Sequence, residues 1–373
     1  MNILYVTTIG GTMNFFKNFV AELVRNNHNV EIACNKNSSP VSEYFEELGC
    51  VVHQISCARS PLDKGNIKAI KELKKLVSEK HYDIVHCHTP IAAACTRIAC
   101  RKARKNGTKV IYTAHGFHFY KGAPKKNWML FYPIEKLCAK WTDLLVTINK
   151  EDYERAKKKF KAKAVEYVPG VGIDVNKFAN AVTDRSLKRS EADIPEDSLL
   201  LLSVGELNKN KNQETVVRAV AELKDERIHY ALAGSGPNAN YLTELSASLG
   251  IADKVHLLGH RADIPELCKA ADIFVHPSFR EGLPVSVMEA MASGLPVIGS
   301  RIRGVSDLLE GSGDVTLCAP DCVRDWTEAI AAFAGNADLR AKIGSLNSQK
   351  AQNWEVKNIN EIMINLYNRV CNK

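Results

Sequence analysis

Two carboxylates, Glu281 and Glu289, stand eight positions apart in the stretch REGLPVSVMEAMASGLPVI that runs from Arg280 to Ile298. The first lies in a Gly/Pro-rich turn, the second inside a helical pattern that ends at Gly294. A turn opening into a helix gathers free backbone N–H groups and the positive end of the helix dipole at one place, which suits a phosphate. Carboxylates do not bind phosphate, but they accept hydrogen bonds from hydroxyls. An anion cradle flanked by two hydroxyl acceptors has the outline of a nucleotide-sugar site: diphosphate in the middle, ribose on one side, hexose on the other. The same pair could serve as acid and base in a hydrolase, but that chemistry leaves the cradle without a use.

The elements that must position this pair follow from periodicity. Apolar segments at 3–7, 30–34, 51–55, 84–87, 110–113, 144–148 and 165–168 read as strands, with helical patterns at 14–25, 66–79, 91–105 and 150–160 between them. The pattern restarts with strands at 199–204, 230–233, 255–258, 273–276, 297–299 and 315–317, and helices near 213–223, 239–249, 285–292 and 324–334. Strand–helix alternation of this kind implies βαβ units on parallel sheets. The expected fold class is α/β, with two doubly wound Rossmann-like domains facing across a cleft. The boundaries read as 1–170 for a first domain, 171–180 for a Gly/Pro hinge, and 181–352 for a second domain that carries the nucleotide-sugar outline; the resemblance given below implies that the first is the acceptor side. A terminal helix over 353–373 presents Trp354, Ile359, Ile362, Leu366 and Val370 and is expected to pack back on the first domain.

Ligands of such sheets bind beyond the carboxyl ends of the strands, and every suggestive polar cluster falls there. Gly10-Gly11-Thr12 follows the first strand, as a phosphate approach or a bare tight turn. Gly205 and the loop to Lys211 follow the first strand of the second half; Lys211, just before a helix, is placed to neutralise a diphosphate leaving group, with Lys209 as a second candidate. Gly234 and Gly236 close the next strand. His115 ends a strand, where an imidazole can bond a sugar hydroxyl or shuttle a proton. His86 and His88 share a strand face, but no third ligand has a matching spacing, and Cys318 with Cys322 is no better. No metal site is expected, and no resident cofactor.

Charge and cysteines bound the rest. Residues 1–178 carry 29 Lys and Arg against 16 Asp and Glu, a net +13, while the remainder is −5. A basic half-molecule can sit against an anionic membrane surface; nucleic acid is not expected, since no aromatic-interleaved basic stripe appears. No apolar run reaches transmembrane length. The amino terminus reads as a strand rather than a signal peptide. The eleven scattered cysteines, with no Cys-x-x-Cys, read as free buried thiols of a reducing cytoplasm. The expected location is the cytoplasm, with the inner face of the cell membrane as a peripheral site.

Gly205-x-Leu with Lys211, Gly234-x-Gly-Pro237, Gly259, the run Ala271 to Ser278, and Glu281-Gly-Leu-Pro with Glu289 resemble the retaining GT-B glycosyltransferases of family 4 over nearly the whole chain. The segments GELNKNKN and TAHGFHF are similar to the bacterial branch that builds capsular, exopolysaccharide or lipid-linked glycans. The resemblance implies that Glu289 binds ribose hydroxyls and Glu281 the transferred sugar. It also implies that the amides of Gly282, Leu283 and Val285 face sugar and diphosphate. Lys211 would hold the diphosphate, His115 would touch the sugar near its 6-hydroxyl, and Gly11 would approach phosphate or acceptor. His115, Lys211 and Glu281 are then the catalytic set; Gly11, Gly205, Lys209, Gly234, Gly236, Gly282, Leu283, Val285 and Glu289 bind the donor with Lys211. The implied reaction moves a hexose or N-acetylhexosamine from a UDP-sugar to a glycan or polyprenyl-diphosphate-linked acceptor, without metal. A nucleotide-sugar epimerase or phosphorylase, or a non-catalytic partner subunit, is the alternative. One departure stands out: many relatives have Gly-Arg-Leu where this chain has Gly205-Glu206-Leu207, so an arginine clamp is missing, and either Lys209 substitutes for it or the cradle relies on Lys211 and backbone amides.

Overall fold

The computed structural model describes residues 1–313 and 316–372. The chain divides into two compact units: Met1–Val171 with Lys357–Lys373, and Gly172–Val356.

The first unit is built on a seven-stranded sheet of order β3-β2-β1-β4-β5-β6-β7. Its strands are β1 (Asn2–Ile9), β2 (Asn29–Asn35), β3 (Val51–Gln54), β4 (Ile84–His88), β5 (Lys109–Ala114), β6 (Leu144–Thr147) and β7 (Ala164–Tyr167). Every pairing is parallel. Continuous Ile/Val/Leu runs form the central strands because helices cover both faces and leave no wet side to alternate toward. The strand order reverses between β1 and β4, so their carboxyl ends open the crevice where such sheets bind ligands. The closing helix, Val356–Val370, buries Ile359, Met363, Leu366 and Tyr367 in the same core as Ile3, Tyr5 and Phe19. Its buried stripe is thus one step away from the expected face: Ile362 is exposed and Tyr367 is fully buried.

The second unit carries a six-stranded parallel sheet of order β10-β9-β8-β11-β12-β13. Its strands are β8 (Leu199–Val204), β9 (Ile228–Ala233), β10 (Val255–Gly259), β11 (Ile273–His276), β12 (Val297–Ser300) and β13 (Leu317–Cys318). Of the last expected strand, Val315 lies outside the described residues. Here the order reverses between β8 and β11. Most of the expected hinge is built into this unit: the Ile173 amide donates to the Trp354 carbonyl at 2.8 Å, the Val356 amide to the Ile173 carbonyl at 2.8 Å, and Phe178 is buried. The unit boundaries therefore fall at 171/172 and 356/357 rather than at the ends of a ten-residue linker. The eleven cysteines are free thiols, most of them buried.

Candidate functional site

In the second unit the β8/β11 switch point holds a partly buried charge cluster. Lys211 Nζ lies 2.7 Å from Glu281 Oε1, and His276 Nε2 lies 3.3 Å from the same oxygen. Burial works against the Glu281 charge, but the His276 hydrogen bond and the Lys211 ammonium more than offset it and hold the carboxyl well below its usual range. Burial pushes His276 down, with Glu281 opposing, so the ring is neutral at pH 7. Glu281 is therefore a fixed carboxylate, suited to accepting hydrogen bonds and unsuited to giving a proton. Glu289, inside the helix Val285–Ala292, is the opposite case: burial raises it to about 7, and the Lys177 ammonium offsets only part of that.

The loops that carry these groups are tied together by asparagines. Asn210 accepts the Phe279 amide on its carbonyl at 2.8 Å and donates its side chain to the Arg280 carbonyl at 3.0 Å. Asn212 sits in the left-handed region at φ 54° and donates to the carbonyls of Pro277 (3.0 Å) and Pro320 (2.7 Å). A short polar side chain tolerates that conformation. The Lys211 amide donates to Asn208 Oδ1 at 3.0 Å.

The glycines fit the same loops by packing. A Cβ on Gly205 would lie 3.3 Å from Lys211 Cε, so the bare backbone is the floor under the lysine chain. A Cβ on Gly234 would lie 1.9 Å from the Gly205 carbonyl oxygen, and one on Gly236 2.3 Å from that of Leu207. Gly234 and Gly236 thus press against the Gly205–Leu207 backbone. Gly304, which sequence reasoning passed over, does the same to the cradle: its Cβ would meet the Gly282 carbonyl at 2.0 Å. Leu283 is buried, Val285 is partly buried, and the helix begins at Val285 behind Pro284 with no side-chain cap. Its first-turn amides, like those of any helix start, have no acceptor within the helix.

Lys209 goes elsewhere. It lines a groove of about 770 Å³ with Arg218, Tyr241 and Phe279, a groove whose walls include neither Lys211 nor the two glutamates. Glu206 is exposed. The structure thus joins Lys211 to Glu281 and does not bring Lys209 to them.

In the first unit, His115 at the end of β5 meets His88 at the end of β4, with Nε2 of His115 3.1 Å from Nδ1 of His88. His86 lies one ring away and is bound to Tyr367 Oη and, at 2.8 Å, to Thr113 Oγ1. Burial lowers all three imidazoles, His86 to about 3 and His115 to about 4, so they are neutral at pH 7. A third histidine that spacing did not offer is therefore present, yet both His86 nitrogens are taken up by Tyr367 and Thr113, and His88 Nδ1 is taken up by His115. Among the described residues no group of three His, Cys, Asp or Glu side chains is arranged to hold a metal ion. His88 Nε2 is buried with no hydrogen-bond partner among the described residues, and His88 lines a small cavity of about 40 Å³ together with Tyr5, Phe16 and His115.

Thr89, the next residue, has φ 64° and ψ 140°, a conformation that costs a β-branched residue about 1–3 kcal/mol. Its hydroxyl is bound to that of Thr8 at 2.7 Å, across the β1/β4 switch point. Gly11 packs on Ser39, whose Oγ would lie 2.8 Å from an added Cβ. His276, Asn210, Asn212, Thr89 and Gly304 were not named as site residues from the sequence; Asn210 and Asn212 lie in the segment GELNKNKN and His276 in the run Ala271 to Ser278, but nothing there set them apart from their neighbours.

Comparison with known proteins agrees along the whole chain. Residues 184–350 match the family model described as glycosyl transferases group 1, and residues 2–149 the one described as glycosyl transferase 4-like. EpsD of Bacillus subtilis (strain 168), which carries a glycosyltransferase name, is 34% identical over 348 residues, covering 88% of this chain and 91% of that protein. An Escherichia coli protein named UDP-Gal:alpha-D-GlcNAc-diphosphoundecaprenol alpha-1,3-galactosyltransferase is 28% identical over 308 residues, covering 81% and 79%. Among solved structures, HepE of Anabaena in complex with UDP and glucose superposes with a TM-score of 0.80 at 20% identity, covering 98% of this chain and 99% of that one. These structural matches place both units in the GT-B fold.

Proposed function

The chain belongs to the group 1 glycosyl transferase family, and from that premise we propose that it is a retaining, metal-independent enzyme moving a hexose or N-acetylhexosamine from a UDP-sugar to a glycan or polyprenyl-diphosphate-linked acceptor. The observation that carries this reading is the Lys211–Glu281–His276 cluster beside the uncapped start of the Glu289 helix. A diphosphate fits the helix amides and Lys211. Glu281, permanently charged, accepts from hydroxyls of the transferred sugar. Glu289 accepts from the ribose. In the first unit, His115 is proposed to touch the sugar near its 6-hydroxyl and Gly11 to approach phosphate or acceptor.

The proposed step is a front-face displacement. The bond from the anomeric carbon to the diphosphate oxygen breaks, the acceptor oxygen bonds to that carbon on the same face, and the acceptor proton passes to a leaving-group oxygen. Lys211 and the amides lower the energy of the departing diphosphate. The UDP and lipid-diphosphate chemistry in the name of the Escherichia coli relative supports the choice of donor and acceptor. Cell-surface polysaccharide synthesis, whether capsule or exopolysaccharide, at the inner face of an anionic membrane is the setting this chemistry suits. No helix of the described residues is long and apolar enough to cross a membrane, and peripheral attachment there is part of the proposal.

The test is a panel of UDP-sugars with a polyprenyl-diphosphate-linked glycan, read by UDP release and by the anomeric configuration of the product. Acceptor-dependent UDP release with the donor configuration kept is the expected result. An inverted product, or interconversion of UDP-sugars with no acceptor, would overturn it.

A further inference from the structure

The first unit carries a helix whose outer face is wrong for water. Lys125–Cys138, on the connection from β5 to β6, exposes Met129 by 79%, Leu130 by 37%, Ile134 by 38% and Leu137 by 49%, with Pro133 exposed among them. Their spacing keeps all five on one side of a 3.6-residue helix. Single exposed apolar residues are ordinary; a continuous stripe of them marks an interaction surface.

The opposite side of the same helix is already satisfied. Trp128, Phe131 and Tyr132 pack on the core around Phe119. Glu135, the helix's one carboxylate, is buried on Arg97 at 2.8 Å. The exposed face therefore has no acid at all, while Lys125, Lys126, Lys136 and Lys140 are exposed around the stripe. Ile98, 37% exposed, belongs to the helix Pro90–Ala99 that packs beside it.

We propose that this face lies in the headgroup region of an anionic bilayer, with Met129, Leu130, Ile134 and Leu137 entering the acyl boundary and the lysines meeting lipid phosphates. An apolar stripe rimmed by cations is the pattern of a helix lying in a membrane interface, and each lysine adds attraction to anionic lipid. A second copy of the chain suits the face less well. Pairing stripe to stripe would set lysine rims against each other with no carboxylate between them. The surface stands on the helix's own residues; only its link to a lipid-borne acceptor rests on the proposed function. The helix starts just after the loop that leaves the carboxyl end of β5, the end of the sheet that carries His115.

The experiment compares the full chain with a M129E/I134E/L137E variant and a K125E/K126E variant. It uses co-sedimentation with phosphatidylglycerol-containing and pure phosphatidylcholine vesicles at low and high salt. Melting temperature and UDP binding serve as fold controls, since the changed side chains are exposed. The native chain should bind the anionic vesicles, release at high salt and ignore phosphatidylcholine. Both variants should bind at least tenfold more weakly with unchanged melting. Wild-type affinity in the stripe variant, or no vesicle binding by the native chain, would overturn the proposal. So would a dimer, seen by light scattering, that the stripe variant converts to monomer. Turnover of a water-soluble acceptor, measured in parallel, separates this failure from failure of the transferase reading.

Discussion

Glu289→Gln is the sharpest probe of the donor site. Burial lifts the Glu289 carboxyl from 4.5 to about 7. In the unfolded chain the group ionises near 4.5, so the folded state binds the proton more tightly. Stability is therefore complete below pH 4.5, falls as pH rises toward 7, and stays lowered above it. The shift amounts to about 3 kcal/mol at pH 8, an order-of-magnitude value. Glutamine has the same shape and no charge to bury, so the variant should melt above the native chain at pH 8 and close to it at pH 5. Donor binding should move the other way. Ribose hydroxyls donate best to the ionised form, which is about a tenth of the free protein at pH 6 and about nine-tenths at pH 8. Native UDP affinity should then rise about tenfold over that range beyond what UDP's own phosphate contributes. The variant, lacking the group, reports the phosphate contribution alone. Calorimetric titration of both proteins with UDP at the two pH values makes the comparison. Parallel pH profiles, together with equal melting shifts, would refute both the raised ionisation of this half-buried carboxyl and its place at the ribose.

Three further outcomes are expected. Lys211→Ala should lower kcat with the preferred UDP-sugar on the order of a hundredfold or more while the fold survives, because it removes the cation from the leaving group and leaves Glu281 unpaired beside it; turnover near the native value would dismiss the leaving-group role. Gly234→Ala forces a Cβ to within 1.9 Å of the Gly205 carbonyl at a φ of 155°, so it should cost more than about 1 kcal/mol of stability and abolish UDP binding; an unchanged melting temperature would contradict the packing. Exhaustive chelation should leave transfer rates unchanged, and a loss reversed by magnesium or manganese would remove metal independence.

The sheets were legible because their strands are buried on both faces and spell themselves out as Ile/Val/Leu runs at regular intervals. Helices were legible where one face is apolar, as in Gln213–Leu223. Two long helices escaped. Lys125–Cys138 contains Pro133, which reads as a break, and its apolar residues point both inward and outward, which blurs any period. Ala337–Ala351 packs through Gly344, whose Cβ would meet the Gly294 carbonyl at 2.2 Å, and through Asn347, which donates to the Leu295 carbonyl at 2.8 Å. Close backbone approach and a buried amide leave no hydrophobic signature. The same limit held at the site. Lys211 and Glu281 could each be named from a motif, but their 2.7 Å contact depends on two loops seventy residues apart, held together by Asn210 and Asn212. Neither asparagine differs on paper from the loop polar residues around it.

The missing arginine becomes intelligible in these terms. Glu206 is exposed and Lys209 lines another groove, so neither stands beside Lys211 and Glu281. Lys211 is matched by Glu281 and His276 is neutral, which leaves that cluster with no net charge. In the proposed reading, a diphosphate arriving there meets oriented dipoles more than cations: the amides at the start of Val285–Ala292, worth about half a charge together. Dipoles serve an anion only if they are already aimed. The contacts on this loop do that aiming. Gly304 presses on Gly282 from behind, Asn210 holds Phe279 and Arg280, Asn212 holds Pro277, and the Gly205 backbone leaves room for the lysine chain to reach Glu281. An arginine clamp gains strength from charge and tolerates some looseness. A cradle of backbone amides gains it from rigidity, which is why the glycines and asparagines here are as closely fitted as the charged groups they surround.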